Sequence, residues 1–85
     1  MIGTRILIVD DDPKIRTVLR RCLEGESYLV SEASSMSETL AKIEAKAPDL
    51  ITLDLQLGPD DGLEIARAIR RISTVPIVMV TGKAD

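Results

Sequence analysis

Asp54 closes a short apolar run, Leu50-Ile51-Thr52-Leu53, and a turn-rich segment from Leu55 to Gly62 follows before helical spacing resumes. A second apolar run, Ile6-Leu7-Ile8-Val9, ends on Asp10-Asp11-Asp12, and a third, Ile77-Val78-Met79-Val80, ends on Thr81. Continuously apolar runs of this length read as buried parallel strands, and open α/β sheets keep their sites at the carboxyl ends of such strands. The pattern predicts one rim that gathers carboxylates from two strand ends and a hydroxyl from a third. Carboxylates crowded into a partly dry pocket repel one another, and a divalent cation relieves that cost. An all-oxygen ligand set in a chain without histidine points to Mg²⁺, or Mn²⁺ in its place, rather than zinc. Beside such a cation, one carboxylate oxygen can attack phosphorus to give an aspartyl phosphate, and the hydroxyl can donate to the phosphoryl group.

The elements that must hold this rim can be read in order. Arg5 to Val9 is the first strand. Asp12 is the candidate N-cap of a first helix, with Pro13 at its first position, and Gly25 is its natural stop. Ile15, Val18, Leu19, Cys22 and Leu23 form one apolar stripe expected to be buried, with Arg16, Arg20 and Arg21 on the wet side. Tyr28 to Ala33 is less apolar and is expected at a sheet edge. Ser35 followed by Glu38 is a capping-box pattern for a second helix, whose apolar side is Met36, Leu40, Ile43 and Ala47 before Pro48. A third helix after Gly62 turns Leu63, Ile65, Ala66, Ile69 and Ile72 inward and leaves Arg67, Arg70 and Arg71 solvated. Strands alternating with helices imply right-handed crossovers and a parallel sheet.

Composition narrows the function classes. Eighty-five residues allow one small domain, with 45% apolar and 29% charged residues, an ordinary globular balance. Tyr28 is the one aromatic residue, and the net charge is −3, so stacking on nucleic-acid bases and gripping a phosphate backbone are not expected of this segment. The single cysteine, Cys22, cannot form an internal disulfide and reads as a small core residue. No run is long enough to span a bilayer, and no basic-then-apolar signal segment is present, so a cytoplasmic location is expected.

Three motifs together carry a family resemblance: Ile6-Leu7-Ile8-Val9-Asp10-Asp11-Asp12-Pro13, the Leu53-Asp54 strand end with Asp61-Gly62 downstream, and Val80-Thr81-Gly82. In that order, over the whole chain, they resemble the receiver domain of bacterial two-component response regulators. The resemblance implies a flavodoxin-like doubly wound parallel sheet. Residues 1–85 would be a C-terminally incomplete receiver, truncated after the fourth strand in order 2-1-3-4, without the fifth strand and last helices. It further implies that Asp54 is the phosphoacceptor and takes a phosphoryl group from a sensor histidine kinase or a phosphotransfer protein. Asp10, Asp11, Asp54 and the Gln56 backbone carbonyl would hold Mg²⁺. Thr81 would be the switch hydroxyl, Gly82 would leave access for the phosphodonor, and a downstream effector domain or protein would read the switch. Such a protein is a phosphoacceptor rather than a turnover enzyme.

Two departures from the family pattern stand out. Gly58, followed by Pro59, occupies the place of the family's proline four residues after the acceptor, and the chain ends before the strand that carries the family's lysine. Lys83 lies on a different loop. Ending there predicts an apolar fourth-strand edge and self-association through it. Asp12 and Ser35 are explained by helix capping, and Asp60 and Asp61 by turn formation. The rival reading is a haloacid-dehalogenase-like phosphatase with Asp10 as nucleophile and Asp12 as general acid, which leaves Asp54 without a role. A third reading is a degenerate receiver serving as a binding module.

Overall fold

A computed structural model describes residues 3–57 and 60–80. Four parallel strands, β1 (Arg5–Val9), β2 (Leu29–Ala33), β3 (Leu50–Asp54) and β6 (Ile77–Val80), form one sheet in the order β2-β1-β3-β6. This is the expected 2-1-3-4 order, with β2 and β6 at the edges. Helices α1 (Pro13–Gly25), α2 (Met36–Ala45) and α3 (Gly62–Ile72) supply the crossovers. Two short antiparallel pieces, β4 (Gln56–Leu57) and β5 (Asp60–Asp61), pair between β3 and α3.

Pleating divides the central strands between two cores. Leu7, Val9, Ile51 and Leu53 point to one face, where they pack with Ile43 of α2 and with Ile65 and Ile69 of α3. Ile6 and Ile8, alternating with them and almost fully buried, face α1. Local caps set the helix starts. The Asp12 carboxylate accepts from the Lys14 N–H at 2.9 Å, with Pro13 following. Ser35 Oγ accepts from the Glu38 N–H at 3.3 Å, while Glu38 Oε1 accepts from the N–H and hydroxyl of Ser34 rather than from Ser35 itself. The reciprocal arm of the capping box has moved back one residue.

Five expectations are corrected. Gly25 is the last helical residue, and the left-handed conformation that turns the chain is taken by Ser27 at φ 69°. The α1 stripe is not buried: Ile15 and Val18 are 38% and 58% exposed, and Cys22 is exposed. Among the described elements α1 has its sheet face to itself, so residues on its flank meet no second helix. Leu63 and Ile72 of α3 are about half exposed for the matching reason on the other face, beside the β6 edge, and Ala47 is exposed beyond the end of α2. Finally, Arg16 and Arg20 are not simply solvated.

Glu32 of β2 lies on the α1 face, in register with Ile8. Its two carboxylate oxygens accept from Arg16 Nε at 2.9 Å and from Arg20 Nε at 2.5 Å, tying α1 to an edge strand. Arg20 foremost, then Arg16, holds the Glu32 carboxyl below its ordinary pKa. A lowered folded-state pKa gives stability that is present above the unfolded pKa and is lost as pH falls through the folded value. With side chains 19–35% exposed, solvent screening limits the net worth of the pair of contacts to about 1 kcal/mol. Urea unfolding of Glu32→Gln should show that loss at neutral pH and a narrowing gap from parent as pH drops below about 4. A gap that is independent of pH would contradict the assignment.

Candidate functional site

The site is built at the carboxyl ends of β1 and β3. Parallel pairing aligns Val9 with Leu53, so the residues that follow, Asp10 and Asp54, leave the sheet side by side. Asp10 and Asp54 are 4% and 3% exposed, and Asp11 is exposed. One carboxylate oxygen from each of Asp10, Asp11 and Asp54 lies within 4.8 Å of the others. The carboxylates expected from two strand ends therefore form a single acidic cluster.

Asp10 is fixed from several sides. Its N–H donates to the Ala33 carbonyl at 3.1 Å, its carbonyl accepts from Arg16 Nη1 at 2.8 Å, and its Oδ1 accepts from the Asp12 N–H at 2.9 Å. Burial raises the Asp10 pKa, the Asp12 hydrogen bond opposes that rise, and the charges of Asp54, Asp11 and Asp12 add to it. Negative charge is costly here, which is the condition under which a cation is taken up. The donor set also fits the ion: three carboxylates, no nitrogen or sulfur, and one exposed member open to incoming ligands. The cluster could hold a hard divalent metal.

Asp12 spends its carboxylate on the α1 cap, as expected, and is therefore not poised as the general acid that the phosphatase reading needs. Asp61 is more than a turn former: it pairs with Gln56 and caps α3, accepting from the Leu63 N–H at 2.9 Å. Gln56 follows the acceptor strand as expected. Thr81 and Gly82, together with Gly58 and Pro59, lie outside the described residues.

Gly62, read in the sequence only as part of the Asp61-Gly62 motif ahead of the third helix, is a positioning residue. It is buried, and a Cβ on it would stand 2.6 Å from the Asp54 carbonyl oxygen and 2.7 Å from Leu55 Cα. Its N–H donates to the Leu55 carbonyl at 3.2 Å, and the Leu55 N–H in turn reaches the Val80 carbonyl at 3.1 Å. The start of α3 is thus pressed directly against the backbone that carries Asp54. The Asp-Gly pair ahead of an apolar helix was the available signal.

The chain belongs to the response regulator receiver domain family, whose model matches residues 6–85. It is 44% identical over 82 residues to the transcriptional regulatory protein ResD of Bacillus subtilis and 46% identical over 81 residues to BaeR of Escherichia coli. These matches cover 96% and 95% of the chain but 34% of each relative, so the chain spans about a third of the length of the curated relatives it matches. Among solved structures, the chemotaxis protein CheY4 of Vibrio cholerae superposes with a TM-score of 0.90 at 30% identity, covering 98% of this chain and 72% of that one. The response regulator TrrA, solved in complex with the histidine kinase ThkA, gives 0.86 at 35% identity, covering 96% and 72%.

Proposed function

We propose that this chain is the phosphoacceptor part of a two-component switch, in which Asp54 receives a phosphoryl group from a phosphohistidine on a partner kinase or phosphotransfer protein. The observation that carries the reading is the convergence of Asp10, Asp11 and Asp54 within 4.8 Å at adjacent parallel strand ends. A relative whose structure was solved with a histidine kinase supports the choice of donor.

In the proposed reaction an Asp54 carboxylate oxygen attacks phosphorus. The new P–O bond forms as the P–N bond to the imidazole breaks, and the departing nitrogen keeps the electron pair. Mg²⁺ held by Asp10, Asp11, Asp54 and the Gln56 carbonyl would offset the charge on the phosphoryl oxygens. Asp10 is the pre-set member of this group, because the Asp12 N–H fixes one of its oxygens. Thr81 is assigned the hydroxyl that meets the phosphoryl group and Gly82 the opening beside it. The protein is then a stoichiometric acceptor located in the cytoplasm, and a downstream effector reads its state. No helix among the described residues is long and apolar enough to cross a membrane.

The chain is further proposed to be the leading part of a receiver domain, with another strand beside β6 and helices over the exposed Val18, Val78, Leu63 and Met79. Fluorine NMR with beryllofluoride, a phosphoryl mimic, tests the acceptor site. A bound resonance should appear with Mg²⁺ and vanish on chelation, and the complex should melt about 5 °C higher than the free chain. No bound resonance at saturating Mg²⁺, in this chain or in one extended by the proposed strand and helices, would sink the reading.

A further inference from the structure

At the opposite end of the sheet from the acidic rim, a cavity of about 270 Å³ lies between the β2 edge and the last turn of α2. Leu29, Val30, Ala45 and Pro48 give it an apolar lining, and Arg5, Lys42 and Lys46 bring three cations to it. Leu29 is 49% exposed, an apolar side chain on an edge strand with its cover missing among the described residues. The cations have two origins. Lys42 lies in the last turn of α2, Lys46 is the extended residue that caps it, and Arg5 is the first residue of β1.

The charge of this corner runs against the net −3 of the chain. Asp49, next in the chain to the lining residue Pro48, binds the Arg5 backbone rather than its guanidinium: its Oδ2 accepts from the Arg5 N–H at 2.8 Å. Among the described residues no carboxylate is within ion-pair distance of the Arg5, Lys42 or Lys46 side chains, although Glu38, one turn back along α2, is near enough to feel the Lys42 charge. Three cations without an ion-pair partner among the described residues stand around an apolar floor and form an amphiphilic pocket, whose chemistry selects a ligand with one acidic head and a short hydrocarbon body.

We propose that this cavity is a binding site for a small organic anion, a carboxylate or phosphate monoester with an apolar tail, separate from the phosphoacceptor rim. The acidic head sits among Lys42, Lys46 and Arg5, and the tail covers Leu29, Val30 and Ala45. Occupancy leaves Asp10, Asp11 and Asp54 untouched, because those lie beyond the carboxyl ends of the strands and the cavity lies at their amino ends.

Octanoate is the probe, with octanamide as its uncharged counterpart, followed by amide chemical shifts of the full chain. Octanoate should give saturable shifts centred on Leu29 to Ser31 and Ala45 to Lys46, and octanamide about tenfold weaker binding. Lys42→Gln combined with Lys46→Gln should weaken octanoate about tenfold and leave octanamide unchanged. Both substitutions are at exposed positions, one in the last turn of α2 and one at its C-cap, and an unchanged Mg²⁺ response in the double variant confirms that the fold and the acidic rim are intact. Equal affinity for acid and amide, an unaltered affinity in the double variant, or shifts that scatter over the surface without saturating would each overturn the proposal. Substituting inorganic phosphate for octanoate separates the head from the tail: measurable but weaker binding at the same residues is expected, and binding as tight as octanoate's would refute the apolar subsite.

Discussion

Replacing Asp54 with asparagine is expected to abolish acyl-phosphate labelling completely, whether the donor is a phosphorylated kinase or a small phosphoramidate. The amide has no carboxylate lone pair to attack phosphorus, and no other described carboxylate is placed to substitute. Asp10 is held by the Asp12 N–H and disfavoured as an anion, and Asp11 stands at the exposed lip. The same substitution should stabilise the metal-free protein by about 1 kcal/mol, because it removes one of three charges crowded within 4.8 Å. The sign follows from Asp10, whose pKa is raised chiefly by burial and then by the Asp54 charge. A raised carboxyl pKa means that the folded metal-free state gains stability as pH falls toward that value and loses it above. Asp54→Asn should flatten this dependence, and chemical denaturation across pH with and without Mg²⁺ would reveal it. Labelling that survives in Asp54→Asn and disappears in Asp10→Asn would instead revive the phosphatase reading.

Gly62→Ala is expected to be severe, with a loss of about 2–4 kcal/mol in unfolding free energy and a weakened response to Mg²⁺. Helix propensity alone predicts the opposite, since alanine is favoured over glycine in a helix by roughly 1 kcal/mol. Geometry decides the matter. The added methyl group would stand 2.6 Å from the Asp54 carbonyl oxygen, 2.7 Å from Leu55 Cα and 2.9 Å from the Leu55 carbonyl oxygen. All three are backbone atoms, which cannot rotate aside as a side chain would. Either α3 withdraws from the β3 end, losing the burial of Ile65 and Ile69, or the Asp54 backbone shifts and takes the acceptor carboxylate with it. Urea unfolding together with a Mg²⁺ titration would measure both consequences. A variant within about 0.5 kcal/mol of the parent would mean that the contact is readily relieved.

Local chemistry made much of this molecule legible in its sequence. Asp12-Pro13 and Ser35 start helices where expected, because a cap is satisfied within a few residues of itself. Apolar runs ending on Asp10 and Asp54 marked parallel strands and the rim at their carboxyl ends, since a strand covered on both faces is predominantly apolar along its length. Alternation of strands and helices gave a parallel sheet, and the order of its four strands came from the family resemblance. Periodicity correctly identified one apolar side of α1, yet Ile15, Val18 and Cys22 are exposed, because spacing defines a face and says nothing of what lies opposite it. The same limit applies to Leu63 and Ile72.

Read alone, then, the sequence determined the element types, which depend on near neighbours and on the period of the apolar pattern, while the strand order and the roles expected of the site residues came with the family resemblance. Tertiary structure decided which groups meet across distance. Glu32 binds Arg16 and Arg20 from another element, Asp10, Asp11 and Asp54 close to within 4.8 Å, and Gly62 lies against the Asp54 backbone. Those contacts depend on the register and approach of packed elements, and no short window of residues contains that information.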